Sequence, residues 1–209
     1  MRDLKFLHVG CGENRKDKTT RVFNSSKWSE VRFDIDVQCN PDILGSMVDM
    51  SIIDSESFDA VYSSHNIEHL FYHGAIIAIK EFYRVLNPDG YVFVLCPDLK
   101  AACSGVLERG PHETLYETLD GKSISPIDVL FGWRTAIQNG NEFMAHKYGY
   151  SEQTLVSAFE QCGFKKIASV SRKDFMDIAL IAYKEDLSYS DDVKVNDENI
   201  IKVFKEHLQ

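Results

Sequence analysis

The sequence contains no long apolar run, and this absence narrows the kinds of protein that it can encode. No stretch reaches the roughly 18 consecutive apolar residues that a transmembrane helix needs. The N-terminus also lacks an apolar signal segment, because Gly10, Gly12 and Glu13 follow too soon after Met1. We therefore expect a cytoplasmic protein that does not cross a membrane.

Paired cysteines and an excess of positive charge are absent as well. The five cysteines are scattered and form no Cys-x-x-Cys pair, which argues against a disulfide framework and against a structural zinc site. We expect no bound metal. The 32 acidic residues outnumber the 23 Lys and Arg, and the net charge of −9 disfavours nucleic acid as a partner. We expect the basic-leaning stretch from Arg15 to Arg32 to be a solvated face.

What remains is the composition of an ordinary globular protein, 44% hydrophobic and 26% charged. The 209 residues suffice for one well-buried domain, which we expect to span residues 1–184. Within it, a helical elaboration at about 99–149 is expected to cap the substrate side. Its aromatic residues Phe131, Trp133 and Phe143 either line a pocket there or form a small core. Residues 185–209 are expected to form an acidic tail with a helix from Asn196 to His207.

The hydrophobic pattern predicts an α/β fold. Strands are predicted at residues 5–9, 30–35, 42–47, 58–63, 91–96, 164–170 and 175–183, and helices at 76–86 and 151–162. Strands that alternate with helices form a parallel sheet with right-handed crossovers, whereas the short turn between the last two strands makes them antiparallel. The polar stretch between the first two strands supports at most one short helix, near Thr20 to Trp28.

The first predicted strand runs directly into a glycine turn, Gly10-Cys11-Gly12. In an open α/β sheet such a turn forms part of the binding crevice at the carboxyl ends of the strands. Asp34 ends the second strand, where a carboxylate accepts hydrogen bonds from a ribose diol, and Asp36 is the alternative. Arg15 replaces the third glycine of the G-x-G-x-x-G pattern and Glu13 adds negative charge, which disfavours NAD and FAD. A nucleoside ligand without phosphate fits better.

Five segments in this order resemble the class I S-adenosylmethionine-dependent methyltransferases, and the group known as type 11 in particular. They are HVGCGEN, FDID, VDM, FDAVYSSHNIEHL and KEFYRVLNPDGYVFVLCPDL, and a looser likeness resumes at residues 146–184. The resemblance implies a Rossmann-like open twisted sheet of seven strands in the order 3-2-1-4-5-7-6, with an antiparallel last strand and helices on both faces. It also implies S-adenosylmethionine as cofactor and S-adenosylhomocysteine as product.

The resemblance further implies which residues bind the cofactor. They are Gly10, Cys11, Gly12, Asp34, Ile35, Asp49, Met50, Ser63, Ser64 and His65. The glycine turn would meet the methionine part through its backbone, and Ser63, Ser64 and His65 would flank it. Asp34 would hold the ribose, while Asp49 would face the adenine amino group with Met50 beside the ring. Because the segment before Asp34 is short and polar, the family's first helix is expected to be reduced.

The function expected from the resemblance is transfer of a methyl group to an unidentified, small-molecule acceptor by in-line displacement. An acceptor that must lose a proton needs a base, and His65, His69 and His146 are the candidate catalytic residues. The oligomeric state stays open. The alternatives are a cofactor-binding protein without transfer activity and a nicotinamide oxidoreductase, and the latter is disfavoured by Arg15 and the lack of a second domain.

A zinc hydrolase is a further alternative. His65-Asn66-Ile67-Glu68-His69 matches the H-x-x-E-H peptidase pattern, with Glu142 as a conceivable third ligand. The pattern follows directly on a predicted strand, however, instead of lying inside a long helix. It also coincides with a sequence common in the methyltransferases, so zinc is disfavoured.

Overall fold

A computed structural model describes residues 3–118, 121–184 and 197–209, and a seven-stranded sheet forms its centre. The strands are β1 (Leu4–Val9), β2 (Trp28–Asp34), β3 (Ile43–Leu44), β4 (Phe58–Ser64), β5 (Leu86–Pro97), β6 (Tyr116–Glu117), β7 (Ser123–Ile124), β8 (Lys166–Arg172) and β9 (Asp177–Tyr183). The sheet order is β3-β2-β1-β4-β5-β9-β8, and β6 and β7 form a separate hairpin. Only β9 runs antiparallel to its neighbours in the sheet. The predicted fold class, strand order and antiparallel last strand are therefore confirmed.

Helices cover both faces of the sheet. They are α1 (Tyr72–Val85), α2 (Leu99–Arg109), α3 (Pro126–Phe131), α4 (Arg134–Gln138), α5 (Glu152–Gln161) and α6 (Asp197–Leu208). α5 begins where the sequence predicts, because the Ser151 hydroxyl accepts a hydrogen bond from the Thr154 N–H, and it ends before Gly163 in the left-handed region. No helix in these described ranges is both long and apolar enough to span a membrane.

The alternation of side chains along the strands builds two cores. In β1, Leu7 and Val9 join the core beneath α1 and α5, whereas Phe6 points to the opposite face. In β5, Val92 and Phe93 divide in the same way. Because both faces are apolar, the inner strands are buried and their carboxyl ends are held at one edge of the sheet.

The chain between β1 and β2 contains no α-helix, so even the one short helix that the sequence allows near Thr20 to Trp28 does not form. Only a 3-10 turn at Lys16–Lys18 and a series of turns connect the strands. The segment Asn24-Ser25-Ser26 favours turns, since its polar side chains compete for the backbone hydrogen bonds of a helix. Phe23 and Trp28 still pack on the sheet, beside Ile200 and Phe204 of α6. The C-terminal helix thus covers the face that a longer first crossover helix would occupy.

His207 anchors α6 to this face. Its ring is 4% exposed and stacks on Phe93, with 4.5 Å between the ring centroids. Its Nδ1 lies 2.7 Å from the Thr20 hydroxyl and its Nε2 lies 3.0 Å from the Tyr91 hydroxyl. Burial lowers the pKa of His207 to about 3, so the folded protein holds the ring neutral.

The buried neutral histidine predicts a pH-dependent loss of stability. The unfolded chain binds a proton on His207 below about pH 6.5, whereas the folded chain does not until the pH approaches 3. The contribution of His207 to stability is therefore fully present above about pH 6.5, and it is lost progressively as the pH decreases toward 3. Between pH 7.5 and pH 5 we expect the free energy of unfolding of the wild type to fall by about 2 kcal/mol more than that of His207→Gln. Urea denaturation at both pH values measures the difference, and an equal pH dependence of the two proteins would contradict this assignment.

Candidate active site

The carboxyl ends of β1, β2 and β4 surround a cavity of about 290 Å³. Five of the predicted cofactor-binding residues line it, namely Gly10, Gly12, Asp34, Ile35 and His65. Its wall also contains Met47 and Asn66, which no sequence pattern singled out, together with Phe143 and Lys147. The last two come from the segment after α4, and no local sequence pattern connects that segment with the glycine turn.

The glycine turn needs its glycines for two separate reasons. Gly10 and Gly12 have φ angles of +66° and +51°, in the region that L-residues rarely adopt. A Cβ on Gly10 would lie 2.2 Å from Asn66 Cγ, so the Asn66 side chain can pack there only against glycine. A Cβ on Gly12 would meet no atom within 4 Å. Because Gly12 lines the cavity, its open side leaves room for a ligand next to the backbone.

The Asp34 carboxylate connects the glycine turn to the end of β2. Its Oδ2 accepts a hydrogen bond from the Gly12 N–H at 2.7 Å, and its Oδ1 accepts one from the Asp36 N–H at 2.9 Å. These bonds fix the carboxylate at the cavity wall. Each carboxylate oxygen keeps a second lone pair, so the group can still accept hydrogen bonds from a vicinal diol.

Arg32 is buried, and the expectation that it belongs to a solvated basic face is wrong. Its side chain is 2% exposed and its guanidinium donates hydrogen bonds to the carbonyl oxygens of Gly12, Asn14, Cys39 and Asn40. The planar guanidinium, with five N–H donors, is suited to bind several carbonyls at once. Arg32 thereby joins the glycine turn to the loop after β2.

Five of the predicted cofactor-binding residues do not line the cavity: Cys11, Asp49, Met50, Ser63 and Ser64. The Cys11 side chain is buried, and burial raises the pKa of its thiol to about 12. Its N–H already donates to the Phe33 carbonyl. Ser63 is also buried, and its hydroxyl accepts from the Asn66 amide. The Ser64 hydroxyl is hydrogen-bonded to Tyr62.

Met50 and Asp49 face away from the cavity because α1 holds their loop. The Met50 N–H donates to Glu81 and the Met50 carbonyl accepts from Arg84, so its side chain is completely buried in the core. Asp49 is exposed, and its Oδ1 accepts from the Ser51 N–H. In this structure neither residue lines the cavity, whereas Ile35, Gly45 and Met47 do.

A second cavity of about 320 Å³ adjoins the first. Its walls come mainly from the segment between α2 and α5, including Tyr116 of β6 and Trp133 after α3. His65, His69 and Met144 line both cavities. Two ligands bound in the two cavities would therefore approach each other at these three side chains.

His65 directly follows β4 and has a φ of +49°, a conformation that is strained for a non-glycine residue. Its Nε2 lies 3.6 Å from Asp177 Oδ2 and its Nδ1 lies 3.8 Å from Glu68 Oε1, while the side chain is 46% exposed. The surrounding protein lowers the pKa of His65 by desolvation. The nearby carboxylates of Asp177 and Glu68 outweigh this effect, and the net result is a raised pKa.

The other two candidate histidines face the buried side chain of Glu68. His69 Nδ1 lies 3.1 Å from the Ala145 carbonyl oxygen, and His146 Nδ1 lies 2.9 Å from that of Val129. Burial lowers the pKa of His146, although Glu68 opposes this effect. The backbone N–H groups of Lys147 and of the residue after it donate to the Glu68 carbonyl, which fixes this segment over the HNIEH sequence.

The zinc peptidase interpretation of that sequence does not agree with the structure. His65 lies at the end of a strand and Ile67–His69 is a 3-10 turn, so the two histidines do not share the face of a long helix. Glu142, the conceived third ligand, is exposed and does not belong to the cluster formed by Glu68, His69 and His146.

The first cavity fits a nucleoside-containing ligand with an amino-acid end. Asp34 offers diol acceptors, the glycine turn leaves backbone within reach, and apolar side chains such as Ile35 and Met47 form part of the wall. Lys147 adds a cation to the wall. These are the groups that S-adenosylmethionine requires: a partner for the ribose, an apolar surface for the base and a counter-ion for its carboxylate.

The fold is shared with solved structures at low sequence identity. A Pyrococcus horikoshii protein aligns with a TM-score of 0.59 at 14% identity, covering 87% of this chain and 82% of its own. An S-adenosylmethionine-dependent methyltransferase from Archaeoglobus fulgidus aligns with a TM-score of 0.55 at 13% identity, and the alignment covers 86% of this chain and 85% of that one. The CMeT domain of a citrinin polyketide synthase aligns with a TM-score of 0.58 at 11% identity. That alignment covers 88% of this chain and 47% of the longer polyketide synthase chain.

The sequence itself matches a known family. Residues 7–94 match the family model described as a methyltransferase domain, and these residues contain the glycine turn, Asp34 and the HNIEH sequence. No curated protein matches the chain in sequence. Taken together with the sheet order and the cavity, the match over residues 7–94 supports an S-adenosylmethionine-dependent methyltransferase, an enzyme whose cofactor is S-adenosylmethionine.

Proposed function

We propose that the enzyme methylates a small molecule bound in the second cavity by direct in-line transfer. The observation that carries this proposal is the wall shared by the two cavities, formed by His65, His69 and Met144. S-Adenosylmethionine supplies a methyl group already activated by the sulfonium sulfur. The protein therefore has to bind the acceptor at the right place and to exclude water, and such positioning contributes up to roughly 7–11 kcal/mol in favourable systems.

The size and lining of the second cavity support a small acceptor. A volume of about 320 Å³ is at the lower end of the range for small-molecule sites. Its wall combines the Trp133 ring, with Lys122 Nζ 4.4 Å from the ring centroid, and the Asp128 carboxylate bonded to Arg134. Aromatic and charged groups side by side suit an acceptor with both apolar and polar parts. The net charge of −9 weighs against nucleic acid as the acceptor.

Within the first cavity, we assign the ribose to Asp34 and the methionine carboxylate to Lys147. Asp34 presents two fixed acceptor oxygens, and Lys147 provides an ammonium group in the wall. Removal of the acceptor's proton by His65, His69 or His146 stays a prediction. A cytoplasmic location also stays a prediction, and the five unpaired cysteine thiols support it.

Methyl transfer from labelled S-adenosylmethionine tests the proposed function. The protein is incubated with a metabolite extract and with methyl-labelled cofactor, and the products are separated by size before mass spectrometry. We expect the label in the small-molecule fraction, in a compound that gains one methyl group, and less of it with Asp34→Asn. Label that appears only in protein or nucleic acid, or that appears equally without the enzyme, would refute a small-molecule acceptor.

The assignment of Asp34 predicts a selective loss of cofactor affinity. Asp34→Asn keeps the size of the side chain but removes its charge and one acceptor oxygen. Because hydrogen bonds to charged groups contribute roughly 1.5–3 kcal/mol, calorimetric titration with S-adenosylhomocysteine is expected to show binding weakened roughly 10- to 100-fold. Asp49→Asn is the matched control, since Asp49 lies outside the cavity, and its affinity is expected to equal that of the wild type. Equal losses in both variants would contradict the assignment.

The assignment of Lys147 predicts discrimination between two ligands. Lys147→Met is expected to weaken the binding of S-adenosylhomocysteine about 2- to 5-fold, the contribution of an exposed ion pair. 5′-Methylthioadenosine has no carboxylate, so its affinity is expected to stay the same. Titration of both ligands into both proteins provides the measurement. If the variant loses the same factor for both ligands, Lys147 acts through the shape of the cavity and not as a counter-ion.

A further inference from the structure

The carboxylate of Glu68 is buried without a hydrogen-bond partner. Its side chain is 1% exposed, and neither of its oxygens has a donor within hydrogen-bond distance among the described residues. Two histidine nitrogens lie within 4.0 Å of Glu68 Oε1, namely His65 Nδ1 at 3.8 Å and His146 Nε2 at 4.0 Å. Both distances are too long for a hydrogen bond. A buried carboxylate without a partner is unfavourable, and native proteins seldom leave one unless a ligand completes its surroundings.

Two histidines adjoin this carboxylate. A carbonyl oxygen can only accept a hydrogen bond, so the contacts to Ala145 and Val129 place a proton on Nδ1 of His69 and of His146. In a neutral ring this leaves the lone pair of Nε2 for a ligand. The candidate ligand atoms of His69, His146 and Glu68 all lie within 4.8 Å of one another. Three side chains that can each donate an electron pair thus converge at one point.

We propose that Glu68, His69 and His146 bind a divalent first-row transition-metal ion. Two imidazoles and one carboxylate form a common ligand set for such ions, with Zn²⁺ as the first candidate. The backbone carbonyls of Ala145 and Val129 accept hydrogen bonds from the Nδ1–H groups of the two rings. In many metal sites a ligating histidine donates its other ring N–H in this way, which fixes the orientation of the ring. The set offers only one oxygen-donor side chain, so Mg²⁺, which prefers oxygen ligands, is expected to bind much more weakly.

The ion would lie at the junction of the two cavities. His69 lines both cavities and His146 lines the second, while Glu68 lies beneath them in the protein interior. Three protein ligands leave a coordination position open, as in catalytic metal sites. That position would face the second cavity and take an oxygen atom of the acceptor, a part of the inference that rests on the proposed function. The metal site itself requires only the three side chains.

Calorimetric titration of the metal-stripped, full-length protein with Zn²⁺, without a histidine tag, tests this proposal. We expect one ion per chain with micromolar or tighter affinity, and binding of Mg²⁺ at least 100-fold weaker. Glu68→Gln preserves the size of the side chain and removes its charge, and this variant is expected to lose at least 10-fold in Zn²⁺ affinity. His146→Gln is expected to do the same. His73→Gln is the matched control, because His73 is an exposed histidine of α1 outside the cluster.

Binding of S-adenosylhomocysteine shows whether the variants are folded, since Glu68 and His146 do not line the first cavity. Normal binding of this ligand by Glu68→Gln, together with lost Zn²⁺ binding, supports the metal site. Wild-type protein that takes up no Zn²⁺, or a Glu68→Gln variant that binds it as well as the wild type, overturns it. Zn²⁺ binding also separates the two proposals: if it is retained while no small molecule is methylated, only the proposed function fails.

Discussion

The buried guanidinium of Arg32 is the interaction on which the cofactor cavity depends. It lies two residues before Asp34 on β2, and its hydrogen bonds reach carbonyls on both sides of the cavity, in the glycine turn and in the loop that contains Cys39 and Asn40. These loops have few apolar side chains to hold them together. A buried cation that binds four carbonyls does so instead, and without it these partly buried carbonyls would lose their hydrogen-bond donor. The position of Asp34 at the cavity wall follows from this constraint.

A second constraint brings the acceptor side into place. The chain at Met144 and Ala145 runs so close to Gly132 that a Cβ there would lie 1.9 Å from the Met144 carbonyl oxygen. The His146 N–H donates to Phe131, and the N–H groups that follow donate to Glu68. These backbone contacts place His146, which belongs to the segment between α2 and α5, next to the HNIEH sequence. The junction of the two cavities is therefore assembled from segments far apart in the chain, and backbone hydrogen bonds hold these segments together.

The parts that could be predicted from the sequence are those that local patterns determine. Hydrophobic periodicity and the order of the motifs predicted the sheet. The glycine turn and Asp34 predicted one wall of the cavity, because the strand ends of a parallel sheet meet at one edge. Arg32, Met50 and Glu68 were not predictable in the same way. A basic residue in a polar stretch, a methionine in a loop and a glutamate in a family motif have no sequence signal for the partners that bury them. Those partners come from distant segments, as the contact of α6 with the sheet does.

The two cavities thus meet at a cluster of histidines around a buried glutamate. The most direct test of this arrangement is a crystal structure of the complex with S-adenosylhomocysteine. We expect the ribose hydroxyls at Asp34 and the sulfur atom directed toward the wall formed by His65, His69 and Met144, with the second cavity beyond it. A ligand bound elsewhere, or one whose sulfur faces bulk solvent instead of this wall, would contradict this arrangement.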